Sequence, residues 1–134
     1  IYTIIGDGET QEGQIWEAAM FASHKNLNNL IAFTDYNKLQ LDGEVKDICG
    51  IEPLDKKWEA FGWNVWTVDD GNDCEKRNEA ILEAKNSDKP VMIILNTVKG
   101  SGIKFVEDAG VSNHSMNVSK KMFEKGMQEL GGKC

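Results

Sequence analysis

Two short apolar runs each stop at an oxygen-bearing side chain, and this constrains the chain more than any other feature. Ile1-Tyr2-Thr3-Ile4-Ile5 runs into Gly6-Asp7-Gly8, and Leu30-Ile31-Ala32-Phe33-Thr34 runs into Asp35-Tyr36-Asn37. Between them, residues 12–25 have helical periodicity, with Ile15, Ala19 and Ala22 on one face and Trp16 and Met20 beside them. Strand, helix, strand at these lengths reads as a parallel sheet with right-handed crossovers. Both strand ends then emerge at one carboxyl edge, where α/β sheets bind ligands. Asp7 and Asn37 place a carboxylate and a carboxamide there. Such oxygen donors suit Mg2+, which takes few protein ligands and completes its shell with phosphate and water. The pairing points to a magnesium-bridged diphosphate rather than a bare metal site. Gly6 and Gly8 allow backbone to approach a phosphate closely, and the helix N-terminus is expected to aim N–H groups at it.

The alternation continues along the chain. Thr10 is expected to cap the first helix, with His24 and Lys25 at its negative end. Residues 37–50 read as a polar loop, followed by a short helix from Pro53 to near Phe61 that Gly62 stops. Asn64 to Val68 reads as a strand. Asp69 to Asp73 reads as a loop and cap, and residues 74–85 as a helix with Ala80, Ile81 and Ala84 inward. Pro90 introduces a last strand, residues 91–97, whose apolar centre suits a sheet buried on both faces. Residues 99–115 are Gly-rich and irregular. Residues 119–130 form a final helix with Phe123, Met127 and Leu130 at helical spacing, interrupted by Gly126. The expected class is α/β, a parallel sheet with flanking helices.

With 134 residues, 40% of them hydrophobic, the chain has enough material for one cored domain. A net charge of -7 disfavours nucleic acid as the main partner, since phosphate backbones need a basic surface. No apolar run is long enough for a bilayer-spanning helix. Cys49, Cys74 and Cys134 fit no zinc or redox spacing and suggest a reducing, cytoplasmic setting. The tryptophans Trp16, Trp58, Trp63 and Trp66 lie at apolar positions and read as core packing rather than a sugar-stacking platform. The stretch from Met116 to Met127 is basic and amphipathic, and reads as a docking helix rather than a membrane anchor.

The stretch GDGETQEGQIWEAAMFASHKNLNNLIAFTDYNKLQLDG resembles the thiamine-diphosphate motif in its transketolase-family form. The joined elements are GDG, EGQ-x-WEA, a helix, an apolar strand, D-x-NK and a following DG. The resemblance implies a partial thiamine-diphosphate-binding fold, with residues 1–134 as the C-terminal portion of that domain. It also implies that roughly a hundred residues, with diphosphate-contacting histidines, stand before this point in the family. By the same resemblance, Mg2+ is held by Asp7, the Asn37 side chain and the Leu39 carbonyl. Gly6 and Gly8 lie against the diphosphate, and Leu41 and Val98 line the cofactor.

The resemblance places Glu12 at a subunit interface, coupled to a catalytic glutamate of the partner chain. Two close carboxylates share a proton and raise one pKa, which suits a relay. A plain helix-start glutamate, stabilised by the macrodipole, is the alternative. His114 falls where the family has a histidine near the diphosphate and substrate channel. Here it stands in Asn113-His114-Ser115, without the family's Trp and Gly, and a surface-loop histidine is the alternative. Asp70-Gly71-Asn72-Asp73 resembles a DGHD segment with Asn in place of His, and is read as a helix cap.

The activity implied is transfer of a two-carbon ketol unit between sugar phosphates, dependent on thiamine diphosphate and Mg2+. A pyrimidine-binding domain or subunit is the implied partner, in a homo- or hetero-oligomer, and the isolated chain is expected to be inactive. Deoxyxylulose-phosphate synthases and 2-oxo-acid dehydrogenase α subunits share GDG and a distal Asn. The WEA, DYNKLQLDG and KGSG segments favour transketolase. A second class of reading is a non-catalytic truncated or assembly module, because a sheet lacking its covering elements exposes apolar surface.

Overall fold

The computed structural model describes residues 1–41 and 43–131. Its frame is a four-stranded parallel sheet. The strands are β1 (Tyr2–Gly6), β2 (Ile31–Tyr36), β5 (Asn64–Val68) and β6 (Val91–Asn96), in the order β1-β2-β6-β5. Pairing is in register from Tyr2↔Ile31 to Gly6↔Asp35, from Ile31↔Val91 to Tyr36↔Asn96, and from Asn64↔Val91 to Val68↔Leu95. The strands therefore end together, and the expected common carboxyl edge is present.

Period-two alternation sends β2 and β6 side chains to two cores. On one face, Ala32, Met92 and Ile94 meet Ala19 and Ala22 of α1 (Gly13–His24) and Leu54 and Trp58 of α3 (Leu54–Ala60). On the other, Ile31, Phe33, Val91, Ile93 and Leu95 meet Ala80 and Ala84 of α4 (Cys74–Ala84). All five apolar residues of β6 from Val91 to Leu95 are buried, as a central parallel strand requires. The tryptophans are packing residues, as expected. Trp58 lies 5.0 Å from Trp16 and 4.9 Å from Trp63 between ring centroids. The Trp63 indole N–H donates to the Ala19 carbonyl at 2.9 Å, fastening the start of β5 to α1.

Several local expectations change. Thr10 does not cap α1. A 3-10 turn, Gly8–Gln11, comes first, and the Thr10 hydroxyl donates to the Asp7 carbonyl at 2.6 Å inside it. Glu12 is the N-cap residue of α1 but makes no capping hydrogen bond through its side chain. Met20 is exposed rather than packed beside the core face. The segment read as a polar loop is built: β3 (Leu39–Gln40) pairs antiparallel with β4 (Gly43–Glu44), and α2 (Val45–Cys49) follows. Asp42, in the DG element of the motif, lies outside the described residues. Asp73 caps α4 as expected, accepting from the Glu75 N–H at 2.8 Å.

The segment read as irregular contains α5 (Lys104–Glu107) and a 3-10 turn, Gly110–Ser115. The final helix, α6 (Lys120–Glu129), is capped by Ser119. Phe123 on it and Leu130 at its C-cap are exposed, and its buried residue is Gly126. A Cβ at Gly126 would come 3.4 Å from Ile103, an ordinary contact, so α6 lies against that segment at this position. Cys49 and Cys74 are exposed free thiols, and Cys134 lies outside the described residues. Among the described residues, no helix is long and apolar enough to cross a membrane.

β1 is an edge strand. Ile1, Tyr2 and Ile4 are 76%, 55% and 75% exposed. These apolar side chains stand uncovered along the sheet edge.

Candidate functional site

Parallel pairing brings Asp7 beside the end of β2, where its N–H donates to the Asp35 carbonyl at 3.2 Å. The side chain turns inward and is 2% exposed. Its Oδ1 accepts from the Gly8 N–H at 2.8 Å and its Oδ2 from the Lys38 N–H at 2.5 Å. Lys38 reaches that position with φ of 66°, a left-handed conformation uncommon outside glycine and frequent at functional sites. Burial pushes the Asp7 carboxyl above its ordinary range, and the nearby Asp35 charge adds to this. The two backbone N–H groups and the Lys99 ammonium oppose it.

Asn37 stands at the turn out of β2. Its Nδ2 donates to Asp35 Oδ2 at 3.1 Å, and its Oδ1 accepts from the Leu39 N–H at 3.0 Å. Asp35 Oδ1 accepts from the Thr97 hydroxyl, tying the ends of β2 and β6 together. Beside Asn37, burial raises the Tyr36 phenol above its ordinary value, and its hydrogen bond to Glu52 Oε1 adds to the effect.

A cleft of about 770 Å3 opens on this edge. It has the size of a cofactor site. It gathers Gly6, Asp7, Gly8, Glu12, Asn37, Leu39, Leu41 and His114 from the sequence-derived set. Val98 does not line it. That residue borders a neighbouring cavity with Asp35, Thr97 and Lys99, and is exposed, as is Leu41.

The glycines are already engaged. The Gly6 N–H donates to Glu9 Oε2 at 2.6 Å, and the Gly8 N–H is held by Asp7. A Cβ at Gly8 would come 2.7 Å from Gln40 Oε1 and 3.1 Å from its Cβ, so a side chain there would make Gln40 shift. His114, on the Gly110–Ser115 turn, has Nδ1 3.2 Å from Lys99 Nζ. An ammonium only donates, so Nδ1 accepts and Nε2 carries the ring proton.

Sequence reasoning missed Asp35, Glu9, Gln40 and Lys99. Asp35 alone had a readable signal, standing two residues before Asn37 on the same strand. The others are brought in by turns that carry no periodicity.

The donor chemistry fits a hard cation. Asp7 is a buried carboxylate whose oxygens each hold one N–H and retain a further lone pair. Asn37 Oδ1 likewise accepts a single N–H. Among the described residues, no group of three or more His, Cys, Asp or Glu side chains could hold a metal. Asp7 and Asn37 offer two of the oxygens such a cation takes, and Mg2+ takes few protein oxygens and fills its shell with phosphate and water.

Residues 1–131 match the family model described as transketolase, thiamine diphosphate binding domain. The 6-deoxy-6-sulfo-D-fructose transketolase subunit SqwG of Clostridium sp. strain MSTE9 is 50% identical, over 97% of this chain and 47% of that protein. An apulose-4-phosphate transketolase subunit of Actinobacillus succinogenes is 43% identical, over 97% of this chain and 46% of that protein. The chain thus spans less than half the length of these relatives. Among solved structures, Campylobacter jejuni transketolase superposes with a TM-score of 0.90 at 31% identity, covering 98% of this chain and 20% of that one. A Pichia stipitis transketolase complex with sedoheptulose 7-phosphate gives 0.86 at 30% identity, covering 97% of this chain and 19% of that one.

Proposed function

Because the chain belongs to the transketolase thiamine-diphosphate-binding domain family, we propose that it supplies the diphosphate and Mg2+ half of a transketolase site. In this reading residues 1–134 are the C-terminal portion of that domain. The observation that carries it is the buried Asp7 carboxylate, held beside the Asn37 carboxamide at one sheet edge. A charge in that position is stabilised when a divalent ion joins it to an anionic ligand.

The roles follow from the donors. Asp7, Asn37 Oδ1 and the Leu39 carbonyl hold Mg2+. Gly6 and Gly8 let the diphosphate lie close to backbone, displacing Glu9 from the Gly6 N–H. Lys99 offsets the phosphate charge, and His114 Nε2–H is the donor left for a phosphate or sugar oxygen. Leu41 gives the cofactor aliphatic contact within the cleft, and Val98, on the neighbouring cavity beside Lys99, is reached only by a cofactor that extends there. Glu12, with no capping bond to hold it, is free to couple to a carboxylate of a partner chain and pass a proton. When bound, thiamine diphosphate supplies the carbon nucleophile and electron sink that the side chains of this site lack.

The reaction is transfer of a two-carbon ketol unit between sugars, with the pyrimidine-binding half contributed by another domain or subunit. Relatives named as transketolase subunits support that division. The donor is a ketose with an anionic terminal group. The names of the two relatives, for a sulfofructose and for apulose 4-phosphate, frame the choice between sulfonate and phosphate.

Calorimetric titration with thiamine diphosphate, in Mg2+ and then in a chelator, tests the half-site. Wild type is expected to bind only with Mg2+, and Asp7→Ala not at all. Equal binding with and without Mg2+, or by Asp7→Ala, overturns the reading. A folded wild type that binds nothing favours the non-catalytic module.

A further inference from the structure

Building on the proposed half-site, we infer that Asp35 is a positioning residue that sets the rotational state of the Asn37 carboxamide, so that oxygen rather than nitrogen is offered to the cation. A carboxamide has two nearly isosteric ends, and only one binds Mg2+. Its orientation must therefore be imposed by its neighbours.

Asp35 imposes it because an ionised carboxylate only accepts. Its Oδ2 takes the Asn37 Nδ2–H at 3.1 Å, and its Oδ1 takes the Thr97 hydroxyl. Neither oxygen can satisfy a flipped Asn37. The carboxylate is itself fixed. The Asp35 carbonyl accepts from the Asp7 N–H, and the Thr97 N–H donates to the Tyr36 carbonyl at 3.3 Å. At the far end, the Leu39 N–H donates to Asn37 Oδ1 at 3.0 Å. A flipped amide would face a donor with a donor there, and an acceptor with an acceptor at Asp35. Both mismatches favour the observed state, and Oδ1 keeps a lone pair for a metal. Asp35 also adds negative charge beside Asp7, an arrangement that a divalent cation relieves.

The logic predicts a reciprocal rescue. In Asp35→Asn the residue-35 amide has two ways to lie, and only the one with its carbonyl toward the Asn37 NH2, the Thr97 hydroxyl then accepting from its NH2, holds Asn37 as in wild type, so the charge-assisted lock on the amide is lost. In the swap Asp35→Asn/Asn37→Asp, the residue-35 amide donates to the residue-37 carboxylate, whose other oxygen serves the cation. Total charge is that of wild type.

The test counts free Mn2+ by electron paramagnetic resonance, in the presence of thiamine diphosphate, for the full chain and three variants. Asp35→Asn is expected to weaken uptake about tenfold or more, and the swap to restore it to within about threefold. Asn37→Asp alone places two acceptors face to face and binds more weakly than the swap despite its extra negative charge. Wild-type affinity in Asp35→Asn, or tighter binding by Asn37→Asp than by the swap, overturns the inference.

A second readout is independent of any cation. The Asn37 side-chain amide resonances of the metal-free chain should move in Asp35→Asn while the melting temperature holds, and unchanged resonances overturn the inference. Wild type taking up no Mn2+ would sink the half-site reading, and the amide resonances would then decide the role of Asp35 alone.

Discussion

The middle of the sheet and its carboxyl edge belong to the same strands yet follow opposite rules. At the level of Ile93, strand β6 is closed to solvent on both faces by aliphatic side chains and helices. A few residues along, at the level of Asp35, the edge carries the buried Asp7 carboxylate, the half-buried Asp35 and Asn37 side chains and the exposed, left-handed Lys38. Burial in the middle stabilises by removing apolar surface from water. Burial at the edge disfavours the Asp7 charge and raises its pKa. One region holds the fold, and the other keeps an unfavourable charge that a ligand can relieve.

Substitutions in the two regions should therefore separate. The largest effect on stability belongs to the middle. Ile93→Ala should lose about 2–5 kcal/mol in urea denaturation, because it leaves a cavity between packed layers. Asn37→Ala should change stability far less while removing Mg2+-dependent binding. Similar stability losses in both would dissolve the contrast.

Ligand linkage comes next. Mg2+ and thiamine diphosphate together, at about a hundred times Kd, should stabilise wild type by about 2.7 kcal/mol. Differential scanning calorimetry should show a rise in Tm for wild type and none for Asp7→Ala.

The pH dependence has a defined sign. Mg2+ binds the ionised Asp7, so its affinity should fall as pH is lowered through the raised pKa, starting above the pH at which an ordinary carboxylate would respond. In the metal-free chain the sign reverses. The raised carboxyl contributes stability below its unfolded value, and that stability is lost as pH rises through the folded value. Mg2+ titrations and melts across a pH series read the two directions. The smallest effect is at the surface: Lys56→Ala breaks the exposed pair with Glu59 and should leave Tm unchanged.

The same division explains what the sequence disclosed. The strands were readable because apolar runs of five or six residues carry their own period, and the shared edge followed from parallel pairing. The hairpin of β3 and β4 was not, because two-residue strands have no periodicity to detect. Thr10 looked like a helix cap, but its hydroxyl closes the 3-10 turn that precedes the helix. Asp7 and Asn37 stood out by type and spacing. Asp35 was visible two residues before Asn37, but its bond to Thr97 was not, because that partner lies 62 residues away and only the sheet brings them together. Edge chemistry depends on long-range register, whereas the core depends on local pattern.

In the proposed half-site the Asp7 carboxylate, the Asn37 carboxamide oxygen and the Leu39 carbonyl form one cation site. The most direct measurement is anomalous diffraction from crystals grown with Mn2+ and thiamine diphosphate. A peak at roughly 2.0–2.3 Å from all three oxygens, completed by diphosphate and water, is the expected result. A peak held by Glu9 and Glu12 instead, or diphosphate bound at the edge without a cation, would contradict it.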